Sequence, residues 1–170
     1  EEGFGSTSTN PCGEIILSPY DSCRLMLVNL TSFIKNPWTK SASFNYGEYG
    51  AVVQKAQRLM DDMIDLEIEQ IDKIVSKIQK DPEPDEVKAI EINMWKKVRQ
   101  AATTGRRTGL GITGLGDTLA MLGIMYGSEK SIEVTEEIYK WLALNSYESS
   151  ILLAKERRAF PACDVKREQE

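Results

Sequence analysis

The sequence predicts a mostly α-helical chain with short strands, in which an extended, turn-rich opening leads into four helices. Residues 1–45 are rich in Gly, Ser, Thr, Asn and Pro and hold only two short apolar runs. From Tyr49 onward, apolar residues return at three- and four-residue steps, the period of one helix face. No internal repeat or low-complexity tail asks for a solenoid or a disordered arm.

Taken in order, Ile15-Ile16-Leu17 and Leu25-Met26-Leu27-Val28 read as short strands or extended segments between turns. The first helix runs from Tyr49 to about Lys80, with Val52, Ala56, Leu59, Met63, Ile71, Ile74 and Ile78 as its apolar stripe. Asp81-Pro82-Glu83-Pro84 stops it, because proline lacks an amide donor and disfavours helix in the residue before it. A second helix, from about Asp85 to Ala102, places Val87, Ile90, Met94 and Val98 on one face, with Asp85 as the expected N-cap. Gly105 to Gly116 reads as a glycine-rich turn into a short helix bearing Leu115, Leu119 and Leu122. Ser128 caps a last helix over 129–157, whose inner stripe is Ile132, Ile138, Trp141, Leu142 and Ile151.

A chain of 170 residues with 41% hydrophobic content suits one domain, 1–170, divided into loops and strands (1–45) and a helical part (46–170). Lys and Arg number 21 against 26 Asp and Glu, so no broad basic face is offered to nucleic acid or an anionic membrane, and a phosphate site has to be local. No apolar run is long enough to span a bilayer and no secretory leader is visible, which makes a cytoplasmic protein the expectation. The opening Glu1-Glu2-Gly3 reads as a cut or processed segment.

Three cysteines, an odd number, argue for reduced thiols over a disulfide scaffold. The absence of histidine removes Ser-His-Asp and Cys-His chemistry along with the commonest zinc and iron ligand. Catalysis then falls to Cys, carboxylates, Tyr, Lys or a cofactor.

Asn10-Pro11-Cys12-Gly13-Glu14 is the densest site candidate, since Pro and Gly bracket a thiol in a segment that has to turn. Cysteine can act as a nucleophile or exchange a hydrogen atom, a carboxylate two residues on can take a proton, and Asn10 offers donors and an acceptor. The other reading of the same turn is a buried structural cysteine beside a solvent-facing Glu14.

The stretch Ile15 to Leu25 and then Val28-Asn29-Leu30 continues a longer pattern. With Asp81-Pro82-Glu83-Pro84, Thr104 to Asp117, Tyr126-Gly127-Ser128-Glu129 and Ala159-Phe160-Pro161, it closely resembles the class II, adenosylcobalamin-dependent ribonucleotide reductases over most of residues 8–161. The resemblance implies an α/β parent fold, a ten-stranded barrel with the Asn10–Glu14 segment at the tip of a finger loop. This chain would contribute that loop, one or two strands and outer helices.

By the same resemblance, Cys12 is the residue that becomes a thiyl radical and removes the 3′ hydrogen of a ribonucleotide, Glu14 the base at the 3′ hydroxyl, and Asn10 the amide that holds the substrate hydroxyls. Cys23, eleven residues after Cys12, is one of two cysteines that reduce the 2′ position and become a disulfide. Adenosylcobalamin is the implied cofactor, and ribonucleotide, the remaining reductase segments and a thioredoxin-type reductant are the implied partners. No cysteine precedes Cys12, so the redox partner of Cys23 is implied to lie outside these residues, and turnover by the chain alone is not expected. Arg158 stands where the family pattern suggests glycine, and Cys163 matches no catalytic position. The alternative from a different class is a non-catalytic helical assembly module that docks on the rest of a split reductase.

Gly109-Leu110-Gly111-Ile112-Thr113-Gly114 fits a dinucleotide-binding pattern, but its expected context, a buried strand before and an acidic residue about 20 positions on, is missing. Close packing is the expected use of these glycines. Arg106 and Arg107 read as exposed arginines or as partners of phosphate or an acidic group. Asp61, Asp62, Asp65, Glu67 and Glu69 read as a solvated helix side without metal-ligand spacing, so no metal site is expected.

Overall fold

The computed structural model describes residues 7–13 and 15–163. Six short strands, a 3-10 turn and four α-helices follow one another: β1 Ser8–Thr9, β2 Ile16–Leu17, β3 Arg24–Asn29, the 3-10 turn Leu30–Phe33, β4 Ile34–Lys35, β5 Ser43–Phe44, α1 Tyr46–Lys80, α2 Asp85–Gly105, β6 Thr108–Thr113, α3 Leu115–Met121 and α4 Glu129–Arg157. The strands pair only in twos, β1 with β2, β3 with β6 and β4 with β5. The mostly helical chain with short strands is therefore as expected, and no closed barrel forms among the described residues.

The chain divides into two compact units. One draws on residues 1–24, 60–109 and 157–170, the other on 25–59 and 110–156, so α1 contributes its first 14 residues to the second unit and the rest to the first.

The second unit holds the main apolar core. Val28 of β3, Leu30 and Phe33 of the 3-10 turn, Tyr49, Val53 and Ala56 of α1, and Ile138 and Leu142 of α4 are buried together. Phe33 and Phe44 meet the Tyr49 ring edge-on at 5.2 and 5.4 Å, an arrangement that suits the aromatic quadrupoles. Helices α1 and α4 approach closely at Gly50, where a β-carbon would stand 2.9 Å from the Asn145 amide. That contact is sealed by Gln54 Nε2 donating to Asn145 Oδ1 (3.1 Å), Asn145 Nδ2 to the Trp141 carbonyl (2.8 Å) and Ser149 Oγ to the Gln54 carbonyl (2.9 Å). Asn29 Oδ1 accepts from the Thr31 amide and hydroxyl, capping the 3-10 turn.

In the first unit, α1 ends where Asp81 N donates to the Ile78 carbonyl and two prolines follow. Helix α2 ends at Arg106, whose φ of 41° and ψ of 47° form the left-handed cap that glycine usually provides. Arg158 likewise has φ of 74°, at the position where the family pattern suggests glycine.

Several sequence expectations change. The stretch Gly105 to Gly116 is not all turn, because Thr108–Thr113 pairs with β3 as a strand. Its glycines do serve close packing, as a β-carbon on Gly111 would meet Leu27 Cδ2 at 2.9 Å. Pro84 and not Asp85 is the N-cap of α2, without a side-chain bond; Asp85 is the first helical residue and pairs with Lys88 at 3.6 Å. The expected apolar face of α2 stays open, with Val87, Met94 and above all Ile90, 73% exposed. In α1 the buried row is Tyr49, Val53, Ala56, Met60, Ile64, Ile71 and Ile78, whereas Leu59 and Met63 face outward. In α4, Ile138 and Leu142 are buried but Ile132 and Ile151 are exposed; Ser128 caps the helix as expected, accepting at Oγ from Ser131 N.

Candidate active site

The Cys12 segment is the loop of a small antiparallel hairpin in which Ser8 faces Leu17 and Thr9 faces Ile16. Thr7 N donates to the Leu17 carbonyl (3.1 Å) and Asn10 N to the Ile15 carbonyl (3.1 Å), closing the ladder at the base of the loop. Across the tip, Gly13 N donates to the Asn10 carbonyl (3.0 Å), so Asn10, Pro11, Cys12 and Gly13 form one β-turn. Proline in its second position and glycine in its fourth are the residues such a turn favours. Gly13 has φ of 79° with no atom near its missing β-carbon, so backbone conformation and not space calls for glycine here.

Cys12 is exposed on that tip. The buried structural cysteine that the turn also allowed is not what forms. Asn10 Oδ1 accepts from Ile15 N at 3.1 Å, so the side chain braces the loop and keeps Nδ2 as the group able to donate to a hydroxyl. Glu14 lies outside the described residues. The structure thus brings Asn10 and Cys12 into one turn. Cys23, half-buried, stands at the foot of β3 next to Arg24.

Around Cys23 the structure supplies a set of charges that the sequence reading did not connect. The Asp21 carboxylate has no exposed surface and accepts from Arg107 Nε at 2.7 Å. Buried Arg24 donates from Nε to Glu67 Oε2 at 2.6 Å and from Nη1 to the Ser22 carbonyl at 2.9 Å. The partners lie 86 and 43 residues apart along the chain, and no local pattern could announce them. Nearby, Tyr20 takes φ of 63° and its ring centroid lies 5.1 Å from Lys97 Nζ, a cation-π contact.

A second cluster joins Arg106 and Arg157 to Asp61, Asp62 and Asp65. Arg106 reaches Asp61 (2.7 Å) and Asp65 (2.8 Å), and Arg157 reaches Asp61 (2.6 Å) and Asp62 (2.5 Å). Burial alone would raise the Asp61 carboxyl, but the hydrogen bonds and charges of Arg106 and Arg157 outweigh it and hold Asp61 below the usual carboxylate range. Arg106 and Arg107 are therefore partnered by carboxylates of their own chain, not exposed, and part of the acidic side of α1 is paired, not solvated. Among the described residues no group of His, Cys, Asp and Glu is placed to hold a metal ion, and no helix is long and apolar enough to cross a membrane.

Residues 6–169 match the family described as the ribonucleotide reductase barrel domain. The chain belongs to that family. It is 31% identical over 155 residues to the vitamin B12-dependent ribonucleoside-diphosphate reductase of Mycobacterium tuberculosis, covering 91% of this chain and 18% of that protein. It is 31% identical to the enzyme of the same name from Thermoplasma acidophilum, covering 91% of this chain and 16% of that one. With the ribonucleoside-diphosphate reductase subunit alpha of Chlamydia pneumoniae it shares 28% identity over 89% of this chain and 12% of that subunit. The chain thus spans less than a fifth of the length of these relatives.

Proposed function

We propose that this chain is part of a ribonucleotide reductase catalytic subunit, reducing ribonucleotides to 2′-deoxyribonucleotides by a cysteine thiyl mechanism. The observation that carries the reading is the exposed Cys12 at the tip of a hairpin braced by Asn10, inside a segment that belongs to the reductase barrel family. The exposed thiol sits on a short strand-anchored turn whose loop is closed by four hydrogen bonds. In this reading the Cys12 sulfur takes the 3′ hydrogen atom of the substrate ribose, and Glu14 takes the proton of the 3′ hydroxyl. Asn10 holds the hydroxyls through Nδ2. Cys23 gives one of the two thiol equivalents that reduce the 2′ position, and it ends in a disulfide with a cysteine outside this chain.

The B12-dependent names of the relatives support adenosylcobalamin as the cofactor of the assembled enzyme. It supplies the radical chemistry that the chain's own side chains lack. The barrel of the parent, its ten strands included, is completed in this reading by the remaining segments, and a thioredoxin-type protein renews the reduced thiols. A cytoplasmic setting suits thiols that have to stay reduced.

A second reading, a docking module without chemistry of its own, is favoured by the open apolar side chains Leu25 and Leu27 on β3 and Val87, Ile90 and Met94 on α2. Replacing Cys12 by Ser in the full-length reductase separates the two. The catalytic reading expects turnover to vanish while nucleotide binding persists; retained turnover removes it.

A further inference from the structure

The segment from Ser18 to Arg24 is fastened on both sides of Cys23. Asp21 N donates to the Ser18 carbonyl at 3.2 Å, closing a turn with Pro19 and Tyr20 at its corners. Tyr20, at φ of 63°, occupies the corner where such a turn wants glycine, so this turn does not hold itself by local preference. What holds it is charge. The Asp21 carboxylate accepts from Ser22 N (2.8 Å) and Arg107 Nε (2.7 Å) and lies 4.0 Å from Arg24 Nη1. Arg24, its side chain 6% exposed, donates to the Ser22 carbonyl and, through Nε and Nη2, to Glu67 Oε2. Both polar backbone atoms of Ser22, the residue before Cys23, are therefore bound by side chains that flank the cysteine.

Two guanidinium groups thus balance two carboxylates in pairs that are anchored on Asp21 and Arg24, the residues on either side of the half-buried Cys23 segment in the chain. Each pair joins one buried group, Arg24 or Asp21, to a partner about a third exposed, Glu67 or Arg107. The α-carbons of Asp21 and Arg24 lie within about 7.6 and 3.8 Å of that of Cys23, given the spacing of consecutive residues. Separations of that order fall within a Debye length of about 8–10 Å, so charges carried on these residues are not fully screened from the half-buried Cys23 between them in the chain. A thiol that has to be renewed by disulfide exchange depends on its thiolate fraction, which nearby charges govern.

We propose that the Asp21–Arg107 and Arg24–Glu67 pairs are positioning residues for Cys23, fixing its backbone and setting the local potential that governs how readily its thiol ionises. The proposal rests on the reading of Cys23 as a reducing thiol. Its test follows the rate of iodoacetamide modification of Cys23 in the full-length reductase across about pH 6 to 10, read by mass spectrometry with Cys12 as internal reference.

Asp21→Asn leaves positive charge in excess and moves the Cys23 profile to lower pH by about half a unit, which is about threefold faster modification near neutral pH. Arg107→Gln leaves negative charge in excess and moves it the other way by a similar amount. The double substitution returns close to the native profile, and Arg107→Lys, which keeps the charge, stays near it. Glu67→Gln, at a side chain 30% exposed and so tolerant of change, shifts with the same sign as Asp21→Asn should that variant fail to fold. Shifts of one sign on removing either charge, or no shift in any variant while Cys12 is unchanged, overturn the proposal. The underlying reading is tested apart from this: Cys23→Ser that still reduces ribonucleotide over many turnovers removes the reducing role and leaves the modification result standing.

Discussion

Arg106 closes helix α2 in a left-handed turn and sends its guanidinium to Asp61, with Nε 2.7 Å from the carboxylate and Nη2 donating to the Asp61 main-chain carbonyl at 3.0 Å. One arginine thereby ends a helix, where glycine is the usual solution, and ties it to α1 45 residues earlier in the chain. Arg157, at the end of α4, takes the other oxygen of the same carboxylate. Asp61 is thus a shared anchor, its side chain only 13% exposed.

Acid should release that anchor. The Asp61 carboxyl is held below its ordinary range by Arg106 and Arg157 against the opposing effect of burial. Its contribution to stability is therefore present above the unfolded value, about 3.9, and is lost as the pH falls through the depressed folded value. Asp61→Asn is expected to cost about 1–2 kcal/mol at neutral pH, kept at the lower end because the neighbouring carboxylates are half exposed. Denaturant unfolding of both forms from about pH 6 to 3 checks this. The variant should show a shallower loss of stability with acid, and identical slopes would refute the anchor.

Two glycines that both forbid an unstrained β-carbon should respond differently. At Gly50 the added carbon meets the Asn145 amide at 2.9 Å, and that amide is fixed between Gln54 and the Trp141 carbonyl. Gly50→Ala is expected to cost about 1–3 kcal/mol, with part of the loss recovered by Asn145→Ala in a double-mutant cycle. At Gly111 the carbon meets only the end of the exposed Leu27 side chain, which can swing away. Gly111→Ala should stay within about 1 kcal/mol of the native chain. Thermal unfolding of the two variants side by side decides the order.

These contrasts mark how far the sequence could be read. Helix positions followed from apolar spacing and from Pro82, Pro84 and Ser128, because those signals act within a few residues. The buried row of α1 did not, since Leu59 and Val53 satisfy the same period and only the surrounding core chooses Val53. Strand β6 was hidden by its glycines, which resemble turn punctuation although Thr108–Thr113 pairs with β3. Asn10 and Cys12 were legible as one turn from Pro11 and Gly13. The carboxylates that meet Arg106 and Arg107 were not, because their pairing depends on tertiary contact across tens of residues.

Tyr49 offers a test in the core of the second unit. Its side chain is fully buried, and its hydroxyl has no hydrogen-bond partner among the described residues. Burial, with a smaller effect from Tyr139, pushes the phenol up to about 12. Removing an unpaired buried hydroxyl relieves a desolvation cost, so Tyr49→Phe should be neutral or more stable by about 1 kcal/mol. The stability tied to the neutral phenol is intact below about pH 10 and is lost as the pH rises through the folded value. Alkaline unfolding should accordingly be less steep in Tyr49→Phe, and a clear loss of stability at neutral pH would contradict this account of the core.

The central claim is that this chain carries the radical cysteine of a reductase whose other parts lie outside it. The most direct measurement is ribonucleotide reduction with adenosylcobalamin, dithiothreitol and the four ribonucleotides, run on this chain alone and again with the remaining reductase segments supplied. The account expects 2′-deoxyribonucleotide only in the reconstituted sample, and none there when Cys12 is replaced by Ser. No product from the reconstituted sample, with folding and assembly verified, or undiminished product with the Cys12→Ser chain, would contradict it.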